Sequence, residues 1–166
     1  GILKANTGNV GAYNNTVYIG GAGVASGSVN TFAYRRASSG TLDTCMNNIL
    51  YNARSNASGT GKHYSVSLNT TTNIIENFND LLADGTGGVL GQLGAADLTP
   101  LSAWQTGTNL DFNSVSGDPK LINPTGTSAT VDLHIQAASP TPIEQAGFAL
   151  PQVPLDFDMQ TRSTLT

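Results

Sequence analysis

An asparagine phrase recurs along this chain at a spacing that restricts its fold more than any other feature. "AYNNTVYIG" spans residues 12–20, "MNNILYNAR" 46–54 and "IENFNDLLA" 75–83. Aligned on the residue before the strand-like run, Asn15, Asn48 and Asn79 fall 33 and 31 residues apart. Two further runs keep nearly the same period. "NTFAYRR" (30–36) corresponds to "KHYSVSL" (62–68), and "LDTCM" (42–46) to "TTNII" (71–75). Each repeat thus holds three short β-prone runs separated by Gly, Ser and Asn turns.

Helical repeats of similar length would show apolar residues at i, i+3 and i+4 and a high content of Ala, Leu, Glu and Lys. Here the residues alternate over four to six positions instead, as in Thr16-Val17-Tyr18-Ile19 and Tyr64-Ser65-Val66-Ser67-Leu68. That is the period of a strand. The pattern predicts an all-β fold over residues 1–166: a right-handed, single-stack parallel β-helix with three strands per 31–33-residue turn. Turns are expected to be regular over 1–83 and irregular over 84–166, where a partial C-terminal cap forms. Asn tolerates left-handed backbone angles at a corner, and its amide can bond to the turns above and below. Asn15, Asn48 and Asn79 are therefore expected at left-handed corners, as a structural ladder rather than an exposed row of sugar-binding amides.

From residue 84 the texture changes to "ADGTGGVLGQLGAADLTPLSAWQ". Thr99 reads as an N-cap and Pro100 as the first helical position of a short helix over Leu101 to Gln105, with Trp104 packed on the repeats. "DPKLIN" (118–123) and "VDLHIQ" (131–136) read as two more strands, and the tail is punctuated by proline.

Composition narrows the possible partners. The net charge is −4 with only seven Lys or Arg, and charged residues make up 11% of the chain. No basic face can be assembled, which argues against nucleic acid and against an anionic membrane surface. No apolar run approaches the length of a membrane-spanning helix, so membrane insertion is not expected. Cys45 is the only cysteine and reads as a small buried hydrophobe.

The phrases "YNNTVYIGG", "NNILYNARSNASGTGKHYSV", "NDLLADGTGGVLG", "LSAWQ", "GDPKLIN" and "DLHIQAASPTPIEQAG…LDFDMQTR" resemble, in order, those of the right-handed parallel β-helix repeat proteins that bacteria export, often through type IX secretion. The resemblance covers residues 12–163. It implies a β-helical fold and an extracellular or cell-surface location, as a segment of a larger protein in which other domains or the secretion machinery are neighbours. It implies no activity.

Candidate chemistry is sparse. β-Helices host polysaccharide lyases and hydrolases, and a glycosidase needs two carboxyls facing across the scissile bond. The pairs that could serve are Asp156 with Asp158, and Glu76 with Asp80. A lyase would need Ca²⁺ carboxylates beside a base, and Arg35 and Arg36 stand with no acidic cluster adjacent in sequence. His63 and His134 have no ligand partners at metal spacing and read as hydrogen-bonding residues at strand edges. Asp84, Asp118 and Asp132 lie beside turns where a Ca²⁺ could sit, though no pattern requires one; no other cofactor is expected. The glycine-rich "GGAG" and "GTGG" read as turns. Acceptor-like patterns at Asn14, Asn56 and Asn69 read as coincidences of an Asn- and Thr-rich chain. No catalytic residue is assigned.

The expectation is a non-catalytic extracellular module, a stalk or adhesin that binds a glycan or a cell-surface protein. The alternative is a polysaccharide-acting enzyme whose groove lies partly outside this segment. If glycans bind, Tyr13, Tyr34 and Tyr51 should line a lateral face.

Overall fold

The computed structural model describes residues 1–163. Three parallel sheets are assembled from the repeats. In the first, β1 (Ile2–Lys4), β4 (Thr31–Arg36), β7 (His63–Leu68) and β10 (Gly88–Leu93) pair in that order. The second joins β2 (Gly11–Tyr13), β5 (Asp43–Met46) and β8 (Ile74–Asn77). The third joins β3 (Thr16–Ile19), β6 (Ile49–Asn52) and β9 (Asp80–Leu82). Corresponding positions stand side by side: Ala12 pairs with Cys45 and Cys45 with Glu76, while Val17 pairs with Leu50 and Leu50 with Leu81.

Alternation sorts the faces. Val17, Leu50 and Leu81 join the core, as do Ala12, Cys45, Tyr34, Val66 and Leu68. Their neighbours Thr16, Ile49 and Asp80, and Tyr18, Tyr51 and Leu82, consequently fall on the outer face of the third sheet.

The expectation of one right-handed, single-stack β-helix over the whole chain is corrected by the sheet topology. Among the described residues the strands form four separate sheets of five, two, three and three strands, and their pairing is mixed. Parallel addition ends at β10. There Gly94, at φ +60°, reverses the chain, and β11 (Ala96–Leu98) runs antiparallel along β10 with Leu93 opposite Ala96. A two-residue connection of this kind can only join antiparallel strands. Further along, β12 (Leu121–Asn123) and β13 (Asp132–Ile135) form an antiparallel pair apart from the other sheets.

The helix α1 runs from Leu101 to Thr108, longer than the sequence suggests. Pro100 occupies the N-cap in extended conformation and no side chain caps the helix there. Thr99 instead accepts the Leu90 N–H at 2.9 Å, tying the helix entry to β10. Trp104 is fully buried over the last rung of the first sheet. Gly91 makes this possible, because a Cβ there would stand 2.2 Å from the Trp104 ring.

Candidate ligand-binding site

The doubled asparagines divide two tasks between neighbouring residues. Asn14 and Asn47 take the left-handed conformation, at φ +53° and +58°. This corrects the expectation that placed those angles at Asn15 and Asn48. In the third repeat Phe78 stands at that corner, at φ +57°. The residue after the corner turns its amide into the stack. Asn48 Oδ1 accepts from the Asn15 N–H at 3.0 Å and from Asn15 Nδ2 at 2.9 Å. Asn79 Oδ1 accepts in the same way from the N–H and Nδ2 of Asn48, at 3.0 and 3.1 Å. Asp111 and Ser114 close the series: Asn79 Nδ2 donates to Asp111 Oδ1 at 3.2 Å, and the Asn79 N–H to Ser114 Oγ at 2.8 Å. Trp104 Nε1 donates to the other Asp111 oxygen at 2.8 Å. Asn48 and Asn79 are almost wholly buried, so these amides offer nothing to a ligand.

Beside this corner lies a cleft of about 590 Å³. Its floor is the outer column Thr16, Ile49 and Asp80, extended by Val115, which bridges to Asp80. Its roof is the chain after β13, which folds back along the repeats and brings Ile143, Phe148, Leu150 and Phe157 over the floor. Two contacts hold the roof down. The Asn47 side chain clasps the Phe148 backbone, donating to its carbonyl at 2.6 Å and accepting its N–H at 2.9 Å. The Phe78 and Phe148 rings lie 5.3 Å apart.

His134 stands at the cleft wall between two carboxylates, 2.6 Å from Asp132 and 2.9 Å from Asp158. Its hydrogen bonds to Asp132 and Asp158 raise its pKa above the usual imidazole value. Asp132 is two residues from His134, but Asp158 is 24 away, so no local pattern announces the second contact. Asp156 in the cleft and Asp118 outside it are also engaged. Asp156 accepts the Gln160 N–H at 2.8 Å, and Asp118 pairs with Lys120 at 2.6 Å.

Asp80 differs. It is 2% exposed; Oδ1 accepts the Gly117 N–H at 3.1 Å, while Oδ2 has no hydrogen-bond partner among the described residues. Burial pushes its pKa up to about 7, with the Gly117 N–H pulling the other way and Asp118 adding to the rise. Its sequence companion Glu76 lies elsewhere, inside the stack beside Cys45, with both oxygens unpartnered. Glu76 and Asp80 therefore occupy opposite faces and make no acid–base pair across a groove. Burial and the nearby Asp111 hold the Glu76 carboxyl well above its ordinary range, and burial pushes the Cys45 thiol up.

The arginines also differ from their expected roles. Arg36 is buried and donates Nε to Asp43 Oδ2 at 2.6 Å, with Lys4 3.1 Å from the same oxygen. The acid that the local sequence lacks thus comes from seven residues further on. Arg35 lies over the Phe32 ring, 4.7 Å from its centre. His63 is buried between Thr31 and Asn56, at 2.9 and 3.0 Å. Among the described residues, no three His, Cys, Asp or Glu side chains converge as a metal site.

Of the three tyrosines expected on a lateral face, Tyr34 is fully buried instead, because its place in β4 falls on the inward parity. Tyr13 is half-buried. Tyr51 is half-buried on the outer face of the third sheet, where its ring meets Tyr18 edge-on at 5.1 Å and its hydroxyl donates to Asp84 at 2.8 Å. Tyr18 and Tyr51 follow Thr16 and Ile49 by two residues on their strands, so the aromatic pair continues the cleft floor. Among the described residues, no helix is long and apolar enough to cross a membrane. No protein-family model, curated protein or solved structure matches the chain.

Proposed function

We propose that this chain is a non-catalytic binding module of a secreted or cell-surface protein, and that it takes a neutral glycan along the outer face of β3, β6 and β9. The observation that carries this reading is the continuity of that face. The Tyr18–Tyr51 pair leads directly into the cleft floored by Thr16, Ile49 and Asp80. Aromatic rings beside a few polar groups suit a sugar, whose C–H faces stack while its hydroxyls hydrogen-bond. The net charge of −4 disfavours a polyanion. Asp84, Asp118, Asp156 and Asp158 each hold a protein partner, and Glu76 is sealed in the core, which disfavours hydrolysis by a carboxylate pair. The resemblance to exported repeat proteins supports the location.

The test is a panel of neutral and uronate-containing oligosaccharides, titrated calorimetrically and then assayed for reducing ends and unsaturated products. Binding of a neutral oligosaccharide without cleavage is expected, weakened about fivefold in Tyr51→Ala, since one stacked ring contributes about 1 kcal/mol. Release of shortened or unsaturated products would overturn the reading in favour of an enzyme.

A further inference from the structure

Asp80 is the buried carboxylate of the cleft with an unused oxygen. Leu81 beside it points into the core, so strand alternation turns Asp80 to the cleft side, between Ile49 and Val115 in the floor column. A buried acceptor without a partner costs the fold free energy that a donor would return, and native proteins leave few such groups unfilled. The protein offers that donor to Oδ1, through Gly117, but not to Oδ2.

We infer that Asp80 Oδ2 is the polar anchor of the cleft, accepting a hydrogen bond from a hydroxyl of a neutral sugar ring held against the floor. The inference rests on the glycan-binding reading above. A hydroxyl suits the charge balance better than an ammonium group. Asp158 is paired with His134, Asp156 accepts the Gln160 N–H, and Asp118, beyond the Gly117 donor, is paired with Lys120. Phe78 and Phe148 supply the apolar surface for the ring.

The anchor couples binding to a proton. A hydroxyl donates to the carboxylate, so the proton that Asp80 carries in the unliganded protein leaves to solvent on binding. Its pKa near 7 places that exchange at neutral pH. Affinity for a neutral oligosaccharide should rise about tenfold between pH 6 and pH 8, as the ionised fraction grows.

The experiment is calorimetric titration of the full chain with the neutral oligosaccharide that binds best, at pH 6, 7 and 8, in buffers of different ionisation enthalpy. Expected are proton release near pH 7 and the affinity rise. In Asp80→Asn, which keeps an acceptor for Gly117, affinity at pH 8 should drop about tenfold and the rise between pH 6 and pH 8 should disappear. The ¹³C signal of the Asp80 carboxyl should titrate near pH 7 and shift on saturation with the sugar. Undiminished affinity at pH 8 in Asp80→Asn would overturn the anchor while leaving the glycan reading intact. Binding of a simple primary amine such as butylamine at Asp80, with no neutral sugar bound, would overturn both.

Discussion

Asn48 Oδ1 accepts two hydrogen bonds from Asn15, one from the backbone N–H and one from the side-chain amide. Asn48 in turn donates its own N–H and Nδ2 to Asn79, and Nδ2 also reaches the Ala12 carbonyl at 3.0 Å. One residue thereby satisfies backbone groups on two neighbouring rungs. Replacing Asn48 with Ala leaves several buried groups unpaired, at about 1–3 kcal/mol each. Asn48→Ala should cost about 3 kcal/mol or more in urea denaturation. Asn15→Ala, at the end of the series, should cost about 1 kcal/mol. Equal losses at the two positions would show that the ladder does not act as described.

Asp43 gathers Arg36, Lys4 and the N–H groups of Val10 and Gly40 around one buried carboxylate. Burial alone would raise its pKa, but the hydrogen bonds from Arg36, Gly40, Lys4 and Val10 outweigh it and hold the group at about 2. A carboxyl depressed in the fold contributes stability that is present above its unfolded value and lost as pH falls toward 2. Asp43→Asn should therefore cost about 3 kcal/mol at pH 7, by leaving two buried cations poorly compensated. It should also flatten the loss of stability between pH 4 and pH 2. An unchanged acid limb in the variant's melting curves would refute this assignment.

Much of this arrangement was legible in the sequence, and the reasons for the rest are physical. The repeat spacing placed the strands because a parallel rung must use a nearly constant length of chain. Parity alone does not say which alternate set of a strand faces inward, so Tyr34, expected on a lateral face if glycans bind, lies in the core. Nor could local pattern distinguish Asn14 from Asn15 as the left-handed residue, since both are asparagine. The antiparallel return of β11 lies in the glycine-rich stretch after residue 84, where the sequence shows no strand pattern. The cleft escaped notice because its two sides come from distant parts of the chain. Asn47 and Phe148 are 101 residues apart, and no short-range signal announces such a contact.

Glu76 gives the opposite pH signature to Asp43. Its carboxyl, raised by burial and by Asp111, is neutral in the fold but ionises in the unfolded chain near pH 4.5. A raised acid favours the fold fully below that unfolded value and loses this contribution as pH climbs above it. Asp80 and Asp111, also raised by burial, act in the same direction. Glu76→Gln should flatten the decline in melting temperature between pH 5 and pH 8, raising the midpoint at pH 8 by several degrees and changing it least at pH 5. Parallel curves for the variant and the parent would exclude Glu76 as the source of the decline.

His134 makes the roof of the cleft sensitive to pH. The hydrogen bonds to Asp132 and Asp158 raise the imidazole's pKa, so the contribution of its charged form is complete below the unfolded value near 6.5 and lost as pH rises through the higher folded value. Above that point one ring nitrogen can no longer donate, and one of the two carboxylates is released. The neutral ring keeps its shorter contact, to Asp132 in its own strand at 2.6 Å, and the contact that loosens is the 2.9 Å one to Asp158 in the returning segment. Amide exchange over residues 148–160, corrected for the intrinsic pH dependence, should therefore be faster at pH 8.5 than at pH 5.5. In His134→Gln the corrected rates should be fast at both values, while the clasp of Asn47 on Phe148 keeps exchange at residue 148 slower than at its neighbours. Identical protection of the segment at both pH values in the parent chain would show that His134 does not fasten the roof.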